Sequence, residues 1–146
     1  MAENLNVGLL LFIPYRAVEQ RVFAALAAAG HDDITLAQGR LLQRIDDGGS
    51  RVSELAEAAQ VTKQTAGYLV DQLERAGYVE RTPDPSDARA RLVRLTERAR
   101  ALKPIGDAAV AEVEAEWAAH LGRRRMEQLH DTLTRLREIT DPYLKP

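Results

Sequence analysis

The stretch from Arg51 to Thr96, RVSELAEAAQVTKQTAGYLVDQLERAGYVERTPDPSDARARLVRLT, constrains what this chain can fold into more than any other. Ser53 can cap a short helix in which Leu55, Ala56 and Ala59 share one face, because side chains three to four apart stack together. Gln60 and Val61 make a turn, and Thr62 can cap a second helix that carries Ala66, Leu69, Val70 and Leu73 at helical spacing. Gly77 tolerates positive φ and suits the position just past that helix. Two capped helices joined by so short a turn pack crosswise. Beyond them Tyr78 to Thr82 is strand-like, and Pro83, Asp84, Pro85 and Ser86 are turn residues. From Arg89 to Leu95 the residues alternate, so that Arg91, Val93 and Leu95 share a face. The stretch predicts a helix-turn-helix followed by a two-stranded, Arg-rich wing.

With Ala66, Leu69 and Leu73 pointing inward, Lys63, Gln64, Thr65, Tyr68 and Gln72 remain on the outer side of the second helix. Thr, Gln and Lys can pair with base edges or phosphates in a major groove wide enough to admit a helix, and the first turn's free N–H groups suit a phosphate. Any amphipathic helix has a polar face, so the charge that follows carries the argument. From Arg81 to Arg100 six Arg stand against Asp84, Asp87 and Glu97, in a chain whose net charge is −2. Arg at the tip of a hairpin beside such a helix is placed to enter the neighbouring minor groove, where the potential is most negative. The DNA-facing set is therefore Ser53, Thr62, Lys63, Gln64, Thr65, Tyr68, Gln72, Asp87, Arg89 and Arg91. The alternative is a winged-helix protein-interaction module without a DNA site, which has no need for Arg89, Arg91 and Arg94 so close together.

The segment DARARLVRLT resembles the wing signature of the MarR (multiple antibiotic resistance regulator) family: Asp-x-Arg at Asp87 and Arg89, five further residues, then Leu95 and Thr96. LVDQLERAGYVER, Leu69 to Arg81, is similar to the family's helix end and first wing strand. The resemblance implies that Arg89 enters the minor groove, that Asp87 orients the wing, and that the chain ends form a dimer on palindromic DNA. It also implies a repressor released by a small aromatic or phenolic acid. Two positions depart from the pattern: Ala88 stands where a second basic residue is common, and Tyr68 where the recognition helix often has Arg.

The 146 residues suit one domain, 1–146, with a DNA-binding core at about 35–96 and dimerisation helices at about 5–29 and 97–144. The fold class is mainly α with a small β-wing. With 45% hydrophobic and 29% charged residues the composition is that of a soluble globular protein. No Cys is present, which removes disulfides, thiol redox sensing and Cys-ligated zinc and fits a cytoplasmic protein. Leu5 to Ile13 is apolar but far shorter than the ~20 residues of a bilayer span, so no membrane segment is expected. The start MAENLN has no basic residue, unlike a secretory signal.

Leu5 to Ala29 reads as a long helix kinked or split at Pro14, with Tyr15, Val18, Val22, Ala25 and Ala29 in a stripe and Gly30 at its end. Thr35 and Gln38 form a capping box for a helix over Leu36 to Asp46, and Asp47 to Ser50 is a loop. Thr96 caps a helix reaching Leu121, bent by Pro104 and Gly106, with Ala99, Leu102, Ala109, Val113, Trp117 and Leu121 on one side. After Gly122 comes a last helix striped by Met126, Leu129, Leu133, Leu136 and Tyr143. The terminal stripes exceed what a small winged domain can cover, so they are expected to pair with a second copy in a homodimer.

His31, His120 and His130 have no partner at ligand spacing, so no metal is expected. No Ser-His-Asp order, phosphate loop or HExxH occurs, so neither catalytic residues nor a cofactor are expected, and the chain reads as a non-enzyme whose partner is double-stranded DNA. An acid effector, suggested by the resemblance, is expected between the terminal helices and the winged domain. Phe12, Tyr15 and Trp117 offer it apolar walls and Arg16 a cation.

Overall fold

The computed structural model describes residues 4–142 and 144, and the stripe residue Tyr143 lies outside them. These residues form two compact units, one built from the chain up to Asp32 together with Lys103–Thr140, the other from Asp33–Leu102 with the chain from Asp141.

The second unit holds the helix-turn-helix. It runs α2 (Leu36–Leu42), α3 (Val52–Ala58), α4 (Lys63–Arg75), β1 (Val79–Asp84), β2 (Asp87–Leu95) and α5 (Glu97–Arg100). The capping box at Thr35 and Gln38 is formed, but α2 stops at Leu42 rather than Asp46. Arg44 and Ile45 donate three residues back, to Leu41 and Leu42, and so tighten and end the last turn. Ile45 is nonetheless buried with Leu41.

Ser53 does not cap α3. The cap position is Arg51, which makes no side-chain cap bond, and Ser53 lies exposed in the first turn. Helix α3 closes with Gln60 in the left-handed region at φ 57°. Val61 N donates to Ala56 O and Gln60 N to Glu57 O, which satisfies carbonyls the helix end would otherwise leave open. The Gln60 side chain donates to the same Glu57 carbonyl at 2.7 Å, which helps a non-glycine residue hold that conformation. Helix α4 ends in the same geometry, with Gly77 at φ 83°. Ala66, Leu69, Val70 and Leu73 are all buried, as helical spacing predicts. Burial of each large aliphatic side chain is worth about 1.5–3 kcal/mol, which is what fixes α4 in place.

The wing is antiparallel, from Val79↔Leu95 to Pro83↔Arg91. Both strands run further toward the tip than the sequence indicates, leaving only Pro85 and Ser86 as the turn. Ser50, placed in a loop by the sequence reading, instead exchanges two backbone hydrogen bonds with Val93 at 3.0 and 2.8 Å. The wing is thereby tied to the segment that leads into α3.

The first unit contains α1 (Val7–Ala28), α7 (Arg123–Thr140) and nearly all of α6 (Leu102–Leu121). Asn6, not Leu5, starts α1 by accepting from Leu9 N at 2.9 Å, and Pro14 lies inside the helix without dividing it. The break after the wing falls at Ala101, between α5 and α6, rather than at Pro104. Pro104 then occupies the first turn of α6, where its missing N–H has no acceptor to lose. Leu26, Ala109 and Val113 are buried, and Arg21 pairs with Glu116 at 2.8 Å and Glu112 at 3.6 Å. No residue of α7 is buried. Val7 is 68% exposed and Ile139 85%, and Leu9 to Ile13, Leu133 and Leu136 are open as well. Among the described residues no helix is long and apolar enough to cross a membrane.

Candidate nucleic-acid interface

Thr62 Oγ1 accepts from Thr65 N at 3.1 Å and so starts α4 where the sequence places it. Its hydroxyl donates to Thr65 Oγ1 at 2.9 Å, which leaves the Thr65 proton free to point elsewhere. Thr65 and Tyr68 are exposed on one face of α4, Tyr68 at 59%, and Lys63 and Gln64 are exposed in its first turn. Gln72 continues that face but is half-buried, because its Oε1 accepts from Gln38 Nε2 at 3.0 Å.

The Arg side chains from Arg81 in the wing to Arg98 at the start of α5 divide into two groups. Arg81 is held by Asp71 at 2.7 Å and Glu74 at 2.8 Å, and Arg94 Nε donates to Thr82 at 3.0 Å. Arg98 donates to Asp33 at 3.1 Å and to the Ala76 carbonyl, and lies 4.2 Å over the Tyr78 ring. The Tyr78 hydroxyl bonds the same carboxylate at 2.6 Å, and with Arg98 it holds Asp33 below the usual carboxylate range. Arg89 and Arg91, by contrast, are exposed, and among the described residues neither makes a side-chain hydrogen bond or ion pair.

Arg89 also has an unusual backbone setting. Pro83 pairs with Arg91 but Asp84 pairs with Asp87, so Ala88, Arg89 and Ala90 have no partner on β1. Pro83 has no N–H to continue the ladder, and the extra residues of β2 bulge at that point. Arg89 sits in the middle of the bulge, its N–H bonded to Asp87 Oδ1 at 3.0 Å.

Asp84, which the sequence offers only as a turn residue, anchors this region. It is buried, and Arg51 grips its Oδ2 through Nε at 3.0 Å and Nη2 at 2.8 Å. Ser86 donates to Oδ1 through its backbone N at 2.8 Å and its hydroxyl at 2.7 Å. The Ser86 bonds and then the Arg51 guanidinium hold the Asp84 carboxyl down at about 2. Asp87 stands 3.8 Å from the same guanidinium. Arg51 thus joins the start of α3 to the wing tip. Sequence could have hinted at this only through an Arg set just before a helix and an Asp in a turn that needs its side-chain acceptor.

The expected effector residues are only partly brought together. Tyr15 and Trp117 line a groove of about 630 Å³ within the first unit, with Leu10, Pro14, Leu121 and Leu133 among its other walls. Phe12 and Arg16 are not part of its lining; Phe12 is exposed and Arg16 stands 3.7 Å from Glu19. Among the described residues no cluster of His, Asp or Glu is arranged to hold a metal ion.

Comparison with known proteins bears on this geometry. A MarR family model matches residues 32–90. A MarR family protein of Mycobacterium tuberculosis, solved in complex with salicylic acid, is 30% identical over 93% of this chain and 99% of that one, with a TM-score of 0.66. Wild-type MarR of E. coli in its apo form has the same fold, with a TM-score of 0.73 at 24% identity over 92% of this chain and 98% of that one. An uncharacterised HTH-type transcriptional regulator of Bacillus subtilis is 32% identical over 69 residues, 47% of this chain and 43% of that regulator's length. The chain belongs to the MarR family of winged helix-turn-helix, DNA-binding transcriptional regulators, and is not an enzyme.

Proposed function

We propose that the protein is a cytoplasmic, homodimeric repressor that reads palindromic operator DNA with α4 in the major groove and the wing in the adjacent minor groove. The observation that carries this reading is the division of the Arg residues between Arg81 and Arg98, in which Arg81 and Arg98 are ion-paired and Arg94 is bonded to Thr82 while Arg89 and Arg91 stand unpaired. Thr62, Lys63, Gln64, Thr65, Tyr68 and Gln72 supply base and phosphate contacts, Ser53 adds a phosphate contact from the first turn of α3, and Asp87 holds the Arg89 backbone. Dimerisation is supported by the open apolar residues of α1 and α7, which water disfavours at about 25 cal/mol per Å².

An effector acid is supported by the salicylic acid in the mycobacterial relative and by the apolar walls at Tyr15 and Trp117. Phe12 adds apolar surface near the site, and Arg16 serves the carboxylate in competition with Glu19. Such a ligand releases DNA only if it binds the DNA-competent and incompetent conformations with different affinity.

The test is footprinting and gel-shift on the DNA upstream of the coding region, with sedimentation of the free protein and titration of salicylate into the complex. A dimer protecting two half-sites about one turn, ~34 Å, apart is expected. A micromolar monomer or a single protected half-site overturns the dimer. Undiminished DNA affinity at millimolar salicylate overturns the choice of effector, and an equal response in Arg16→Ala removes Arg16 from the site.

A further inference from the structure

Gln38 lies on α2 and is 7% exposed, yet its side chain links two elements. Its Oε1 accepts from Thr35 N at 3.1 Å, and its Nε2 donates to Gln72 Oε1 on α4 at 3.0 Å. A backbone N–H can only donate, so the Gln38 amide has one workable orientation, oxygen toward Thr35 and nitrogen away from it. That nitrogen can also only donate, so Gln72 must present its oxygen to Gln38 and carry its NH₂ on the other side. Among the described residues this NH₂ has no protein acceptor. Gln72 follows Tyr68 by one helical turn on the face that also bears Thr65, and it is partly open to solvent.

A glutamine free to rotate can offer a donor, an acceptor or both, and pairing with adenine N6 and N7 uses both. Here the oxygen is engaged inside the protein. We infer that the Thr35–Gln38–Gln72 relay makes Gln72 a fixed hydrogen-bond donor toward DNA, selective for an acceptor: guanine O6 or N7, thymine O4, adenine N7 without its N6 amino group, or a phosphate oxygen. This rests on the proposed placement of α4 in the major groove. Gln38 is a positioning residue that never touches DNA and acts through the orientation it imposes.

The decisive variant is Gln38→Glu. Glutamate serves equally well at this place in a capping box, so α2 keeps its start. Its carboxylate accepts from Thr35 N–H and turns a second acceptor toward Gln72, which must rotate its amide and expose oxygen instead of NH₂. Duplexes are selected from a random pool by wild type, Gln38→Glu and Lys63→Ala, and affinities for the wild-type sequence are measured by anisotropy, with circular dichroism to confirm folding. Gln38→Glu is expected to weaken that affinity by about tenfold. If Gln72 faces a base edge, the selected sequence shifts at one position per half-site toward adenine or cytosine, whose amino groups donate. If it faces a phosphate, affinity falls equally for all sequences.

The loss must vanish when Gln38→Glu is made on a Gln72→Ala background, which a merely structural role for Gln38 does not predict. Should Gln38→Glu unfold the protein, Gln38→Met frees the amide and is expected to broaden the base preference or weaken binding uniformly. Unchanged affinity and selection in a folded Gln38 variant, or a loss that persists without the Gln72 amide, overturns the relay. Lys63→Ala separates this from the larger reading. If it too binds like wild type, the placement of α4 has failed, whereas a loss confined to Lys63→Ala disproves the relay alone.

Discussion

Replacing Arg89 with Ala removes one of the two unpaired wing cations without touching an internal contact of the side chain. Each phosphate neutralised by a basic side chain contributes about 0.9 to the slope of log affinity against log salt. In the proposed dimer both wings lose the contact, so the slope falls by about 1.8. Between 50 and 200 mM salt, that difference makes the wild-type affinity drop about twelvefold more than the variant's. Anisotropy titrations of labelled operator across this range measure both slopes. Arg100→Ala is the matched control, because Arg100 is also exposed and without an ion pair among the described residues, but lies on α5, outside the hairpin. Its loss changes net charge by the same unit and should leave the slope nearly unchanged. An unaltered slope in Arg89→Ala, or an equal fall in Arg100→Ala, refutes the assignment of the wing to DNA and leaves only a general charge effect.

Three further outcomes follow from the packing. Leu73→Ala empties a fully buried position between the helices of the DNA-binding unit and should cost about 2–5 kcal/mol in a urea melt. Gly49→Ala forces a Cβ into a backbone at φ 94°, within 3.0 Å of Arg94 Cγ and 3.3 Å of the Val93 carbonyl, so a loss of about 1–3 kcal/mol is expected, read by thermal unfolding. Asp84, whose pKa is lowered from 3.8 to about 2, contributes stability that is fully present above pH ~4 and is lost as pH falls toward 2. Acid titration of wild type should therefore show a destabilising step in that window that Asp84→Asn lacks, and coincident profiles would remove the Arg51–Asp84 clamp.

How much of this was legible in the sequence depends on the range of the interaction. Thr35 with Gln38, Thr62 with Thr65, and the turn at Gly77 are contacts among near neighbours, and their spacing alone places them. Ser53 satisfies the capping rule as well as any hydroxyl at the head of an apolar run, yet the helix starts two residues earlier than that rule implies. Arg51 occupies the cap while its guanidinium is drawn 33 residues along the chain to Asp84. The Ser50 bridge to Val93 and the Gln38 bond to Gln72 were invisible for the same reason, since nothing in a local pattern encodes which distant group completes a hydrogen bond. The sum of wing charges was sound but carried less than it promised. It counted Arg81 and Arg98 equally with Arg89, although packing against Asp71, Glu74 and Asp33 removes the first two from any outward role.

The terminal helices pose the opposite problem. Their periodicity states that a face is to be covered, and it cannot state by what. In the DNA-binding unit the pattern is satisfied within one chain, with Ala66, Val70 and Leu73 sealed from solvent. In α7 the same kind of stripe leaves Leu133 and Leu136 open and buries no residue. Most helical stability in proteins comes from packing an apolar face rather than from the helix's own hydrogen bonds, and α7, 18 residues long, buries no residue. In the proposed homodimer its apolar face is closed from outside the chain, and the exposed Val7 and Leu9 to Ile13 of α1 present a matching demand. A second copy meets both demands with the same residues, which is how a two-fold interface works.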